Sequence, residues 1–385
     1  MSTASGGLGR PRLDEVVARL ERELRSRQQQ LLEETARNAR AKAQLLMLSA
    51  LARANEAITQ LLAAAGAAGN SAAGAAGAPA AAQQALDALE AELSLLVEAL
   101  QASSRAGSNA RPPRSQEQQS VRRSGPGECE GSATASSSHA QPAGSARGGG
   151  GSGGGGGSSS GSGRRVVGGG GMPGLLFQPS VCLFLQEIVS GRELVKTKAD
   201  FVAWWRARVM HLALQAHQYR SGGVSRERLE KIVYEMAVGF GVLFLYGNYA
   251  LEVIVLNMET GLPCEAPQSV WDRVAACLGL DREQAALFCL LNRWWKTTTQ
   301  SFSRERQQLA EAALASPQDL ELQEAVASGL ARVNAAYLAA AVAVLAVTLF
   351  GVTRPEQVAA SWIACWPRMP LMTAIFEAVE RQRSI

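Results

Sequence analysis

Apolar residues in the first part of the chain recur at alternating steps of four and three: Leu13, Val17, Leu20, Leu24 and Leu31, then Leu45 and Leu48. That spacing keeps one narrow stripe in line along a helix, and it predicts the seam of a coiled coil over residues 10–66. The same frame places Arg27, Glu34, Asn38, Ala41, Ala52 and Asn55 on the seam, so its middle is weak. Asn38 lies seven residues from both Leu31 and Leu45. It either fixes the register of a two-stranded pair or marks a break in it. A second stripe, Leu86, Leu89, Leu93, Leu96 and Leu100, predicts an amphipathic helix over 80–103 that packs back on the first helix or on a partner chain.

The apolar pattern then stops. Residues 104–171 are Ser, Gly, Gln, Pro and Arg with glycine runs, which bury too little apolar area to offset ordering entropy, and a disordered linker is expected there. From residue 172 to 385 helical periodicity returns and predicts an all-α domain. Its apolar runs are Phe177–Val189, Ala199–Tyr219 and Leu229–Tyr246, the last weakened locally by Gly239 and Gly241. Val253–Leu256 has strand-like residues but is too short to establish a sheet. Two helix starts resemble each other, Gly279–Ala285 and Gly351–Val358. Both read as capping boxes, Asp281 with Gln284 and Thr353 with Glu356. The expected fold class is thus all-α, with an N-terminal coiled coil, a long disordered linker and a C-terminal helical domain.

Composition sharpens this division, because every Trp, Tyr and Phe falls at or after Phe177 and a large core must lie there. The Ala-rich run Ala335–Val352 approaches membrane-spanning length, yet alanine supplies little transfer free energy. It reads as a buried helix, and no membrane partner is expected. The net charge of +4 is modest and interleaved along the N-terminal helix, which describes a solvated surface. The six cysteines, Cys129, Cys182, Cys264, Cys277, Cys289 and Cys365, show no C-x-x-C spacing. They suit free thiols in a reducing compartment, the nucleus or alternatively the cytoplasm, and no apolar segment follows Arg10 and Arg12 to form a secretory signal.

Candidate chemistry is sparse. His211 and His217 are six apart on one helix, where three or four would be needed to share a ligand, and no nucleotide-binding or hydrolase motif has its required context. Cys182 or Cys289 with a distant histidine is the one nucleophile pair to weigh against ordinary buried thiols. No enzyme, metal or cofactor is expected. Adjacent tryptophans cannot both face one core, so Trp204, Trp205, Trp294 and Trp295 suggest a groove. Arg208, Arg293 and Lys296 beside them would hold an acidic ligand or partner; the alternative is core packing with snorkelling basic residues.

Several short motifs carry a family resemblance. They are Leu278-Gly279-Leu280-Asp281-Arg282-Glu283-Gln284, then Glu305-Arg306-Gln307-Gln308-Leu309, the helix start Thr353 to Ala359, and Trp366-Pro367, with a similar piece at Ala199 to Trp205. This region resembles the helical region that follows the zipper in green-algal bZIP-like proteins. The resemblance implies a transcription-regulator relative that forms homo- or heterodimers through its coiled coil and binds a regulator or partner protein through its helical domain. It also exposes a departure, since too few residues precede Leu13 for a basic region. If the repeat starts at Leu45, Arg37, Arg40 and Lys42 could touch phosphate, but no Asn stands at the expected distance, so direct DNA binding is unsupported. The rival readings are a helical scaffold unconnected with transcription, and a small-molecule-binding helical domain or enzyme.

Overall fold

The computed structural model describes residues 13–69, 80–109, 180–191 and 197–384. They belong to one compact unit and form helices, with no strand among them. The linker expected over 104–171 lies outside the described residues from residue 110 onward; before that, the second helix continues past the expected end at 103. In chain order the helices are α1 (Leu13–Gly69), α2 (Ala80–Asn109), α3 (Val181–Ser190), α4 (Lys198–Arg220), α5 (Arg226–Tyr246) and α6 (Ala250–Val253). They continue with α7 (Gln268–Leu278), α8 (Arg282–Ala315), α9 (Leu320–Val347), α10 (Pro355–Cys365) and α11 (Met372–Ser384). A π-helical turn, Thr348–Val352, extends α9.

α1 and α2 pack as an antiparallel pair. Ser49 Oγ donates to Glu92 at 2.9 Å and Arg53 pairs with the same carboxylate, while further back on α1 Arg40 and Ala43 meet Leu100 and Ser103, further on in α2. Ala36, Ala43, Ala50 and Ala57 recur every seven residues and are buried, joined by Met47, Leu51, Ala54, Ile58 and Leu61. Small side chains on this face let α2 bring Leu86, Leu89, Leu93 and Leu96 close.

The pair does not stand apart from the C-terminal helices. Leu93 and Leu96 close on Gly351, where an added Cβ would lie 2.9 Å from a methyl of either leucine. Glu90 accepts hydrogen bonds from Ser180 Oγ at 2.9 Å and Cys182 Sγ at 3.0 Å, tying α2 to α3. Both ends of the chain therefore share one hydrophobic core. Composition divides them into a coiled coil and a separate domain because α2 contributes aliphatic side chains and no aromatics.

Within the body, α5 is the central element. Gly239 lets Trp204 of α4 lie against it, since a Cβ there would be 2.3 Å from Trp204 Cη2; Gly241 does the same for Ile188 of α3, at 2.4 Å from Cδ1. The glycines that weaken α5 as a helix are thus where its neighbours approach. Leu320–Val352 is long and apolar enough to cross a membrane, but 72% of its most apolar window is buried inside the protein. The strand-like Val253–Leu256 ends α6 and makes one isolated bridge, Leu256 to Pro263. A lone bridge gains too few hydrogen bonds to grow into a sheet against helical neighbours.

The two similar helix starts face each other. Asp281 and Gln284 form the expected capping box on α8, but α10 begins at Pro355 with Arg354 as N-cap. There Gln357 Oε1 accepts the Arg354 backbone N–H at 2.9 Å, and Thr353 Oγ1 instead donates to the Thr348 carbonyl at 2.8 Å. Proline's fixed φ suits the first helical position, which moves the cap one residue on from Thr353. Gln284 Nε2 reaches the Val352 carbonyl at 2.7 Å, Gln357 Nε2 reaches the Gly279 carbonyl at 3.1 Å, and the two amides bond each other at 3.1 and 3.0 Å. Both glutamines are buried, so each satisfies backbone groups that water cannot reach. Gln357→Leu is expected to lower unfolding free energy by about 2–4 kcal/mol, because it strands a carbonyl, an N–H and part of Gln284. In urea unfolding, Gln284→Leu combined with Gln357→Leu should cost less than the sum of the single changes; strict additivity would mean that the pair is not coupled.

Candidate dimerisation face and binding cavities

α1 is 57 residues long and α2 only 30, so α2 cannot cover all of it. α2 and also α9 pack on α1, and its side chains are buried only from Ala36 onward. The predicted seam residues Val17, Leu20, Leu24, Leu31 and Leu45 are all exposed, by 45%, 55%, 58%, 65% and 69%. Asn38 is exposed with them, Leu48 is half-buried against the core, and the side chain of Leu13 lies outside the described residues. Two residues along a helix turn it by about 200°, so Asn38 and Leu45 point away from Ala36 and Ala43. Residues 17–31 of α1 are exposed on every side, and from Ala36 on the alanine stripe is buried with Asn38 and Leu45 on the opposite side. The chain buries the alanine stripe and leaves the leucine stripe open. The seven-step alanine repeat was the signal for the buried face, and a search for leucines passes over it.

The three basic residues weighed for phosphate contact separate. Arg40 is held by Glu283 at the start of α8, at 3.2 Å. Arg37 and Lys42 are exposed on α1.

The tryptophan groove does not form as one site. Trp205 is fully buried among Phe201, Phe240 and Trp362, and Trp204 covers Gly239. Arg208 pairs with Glu235, and Lys296 pairs with Glu377 at 3.2 Å, so both cations serve helix packing. Arg293 is exposed, Trp294 is half-buried, and Trp295 packs its ring on Tyr337. The physical reason is that Trp205 packs its ring on Phe240 inside the core, whereas Trp295 packs on Tyr337 and lines a cavity.

Trp295 does line a cavity of about 120 Å³ with Phe240, Phe244, Tyr337 and Phe376. A separate open depression of about 560 Å³ has Arg220, Arg226 and Arg354 on its walls, but Glu356 lies among them and pairs with Arg226 at 2.9 Å.

The residues of the family-like motifs hold helices together. Gln284 and Gln357 form the amide exchange described above, and Glu305, Arg306 and Leu309 clasp α8 to α9 through Arg332, Tyr337 and Gly329. Trp366 Nε1 donates to Glu259 at 3.0 Å. His211 and His217 are exposed on α4, and no group of three His, Cys, Asp or Glu side chains converges on a metal position among the described residues. Burial and the Glu90 carboxylate push the Cys182 thiol up to about 12, and burial raises Cys365 to about 12. Neither thiol is held as a thiolate, the form a nucleophile needs. No protein family, curated protein or solved structure matches the chain.

Because the Cys182 and Cys365 thiols are raised in the folded state above the ordinary value of 9.0, their contribution to stability is complete below pH 9 and is lost as pH rises toward 12. At pH 8 iodoacetamide should modify the exposed Cys277 well ahead of Cys182 and Cys365 in the native protein, with mass spectrometry as the readout. Equal rates would contradict this placement of the thiols.

Proposed function

We propose that this protein is a regulatory protein related to bZIP transcription regulators, and that it pairs with a second copy through the leucine stripe of α1. The observation that carries the reading is the stripe itself: Val17, Leu20, Leu24 and Leu31 lie on a stretch of α1 that is exposed on every side, and Leu45 lies on the side away from the core. A heptad leucine stripe with an asparagine at an equivalent position is a pattern by which two parallel helices bury each other's knobs and set their register, and Arg27 and Glu34 on this seam make the pairing weaker in its middle. Two copies would cover a face that a single chain leaves in water, with the helical body of each displayed beside the pair for regulator or partner proteins.

Direct reading of DNA is not part of this proposal. With Arg40 engaged by Glu283, only Arg37 and Lys42 of the weighed residues could meet phosphates, and so few contacts give a shallow salt dependence. The motifs that resemble the bZIP-like helical region sit at the amide exchange and at the α8–α9 clasp, where they hold helices together. A nuclear location follows from the same reading.

Parallel, in-register pairing brings Leu24 of one copy opposite Leu24 of the other, within reach of a disulfide. Leu24→Cys, made in a chain with Cys129, Cys264 and Cys277 replaced by serine, should give a covalent dimer under mild oxidation on a non-reducing gel. A chain that stays monomeric there would remove the pairing. The regulatory part is tested by tethering the chain to a heterologous DNA-binding domain beside a reporter gene: a several-fold change in output is expected, whereas unchanged output would favour a scaffold unconnected with transcription.

A further inference from the structure

The cavity walled by Phe240, Phe244, Trp295, Tyr337 and Phe376 is placed where α5, α8, α9 and α11 converge. Its rim includes Leu251 of α6, which is 69% exposed, and the half-buried Thr373 at the start of α11. It therefore opens between a one-turn helix and a helix start, elements whose small shifts leave the long helices in place.

We infer that this cavity is a binding site for a small uncharged aromatic molecule of about one ring. Three observations fix the ligand class. Five aromatic side chains line the space, offering ring faces and edges to a flat apolar guest. No charged side chain is among the lining residues, and their only hydroxyls are those of Tyr337 and Thr373, so an ionised guest would lose its hydration without a counter-charge. The volume of about 120 Å³ is close to that of an engineered apolar cavity of about 150 Å³ that stays dry and admits benzene. Ala341 on α9 also faces the space. A larger aliphatic residue there would fill the cavity at no cost in buried polar groups, so a chain with no use for the space could have closed it with one substitution. The inference concerns the body of each copy and stands whether or not α1 pairs.

The test uses the full chain with toluene and indole as probes, followed by saturation-transfer NMR titration, with benzoate as the charged control. Saturable binding of a neutral probe is expected, with benzoate at least tenfold weaker. Ala341→Leu should weaken the neutral probe at least tenfold while leaving the melting temperature unchanged or raised. Should that variant fail to fold, Ala341→Val adds less bulk and should still weaken binding about threefold. No saturable signal from either neutral probe, or an affinity unchanged in the folded Ala341 variant, would overturn the assignment.

Discussion

α1 carries an alanine stripe that the chain covers and a leucine stripe of the same seven-residue period that it leaves exposed. That constraint orders the rest of the structure. The alanine stripe at Ala36, Ala43, Ala50 and Ala57 takes α2, whose leucines then reach Gly351 and α3. Leu24 and Leu31 lie before Ala36 on a stretch exposed all round; once this side is closed, Asn38 and Leu45 point to solvent by helix geometry. Rotating α1 to bury them inside the chain would expose Met47, Leu51 and Ile58, which are fully buried. Burying such a side chain is worth about 1.5–3 kcal/mol, so the rotation is strongly disfavoured.

The body that α1 is docked on is held by close approaches as much as by bulk. Gly239 and Gly241 bring α4 and α3 onto α5, and the exchange between Gln284 and Gln357 closes two helix starts over their own unsatisfied backbone groups. Both devices tolerate little change. A methyl at the glycines meets a ring or an isoleucine, and loss of either glutamine leaves carbonyls and N–H groups buried without partners. The aromatic cavity lies beside this framework and shares Phe240 with it, since that ring packs on Trp205 and also forms part of the cavity wall.

The all-α class was legible in the sequence, because Leu86 to Leu100 and Phe201 to Leu212 repeat with the helical period. The leucine stripe of α1 was legible as spacing, but that the chain leaves it exposed was not. What covers its other side was not: alanine contributes little to a hydrophobic pattern, so the buried stripe is visible only as spacing. The capping role of the two glutamines was half legible. Asp281 and Gln284 follow the usual rule, whereas at α10 Pro355 fixes the first helical residue and makes Arg354 the cap. The aromatic cavity could not be read, because its walls come from residues as far apart as Phe240 and Phe376, and local spacing carries no record of such contacts. Adjacent tryptophans were a misleading guide: Trp205 is core, and only Trp295 reaches the cavity.

The leucine stripe is the feature from which the functional reading follows, and the mass of the protein in solution tests it most directly. Light scattering on the full chain across micromolar concentrations should give twice the 40.6 kDa chain mass. Leu24→Asp with Leu31→Asp, both on exposed positions, should return it to the single-chain value without loss of helical signal. A wild-type chain that stays at 40.6 kDa throughout that range would contradict the account.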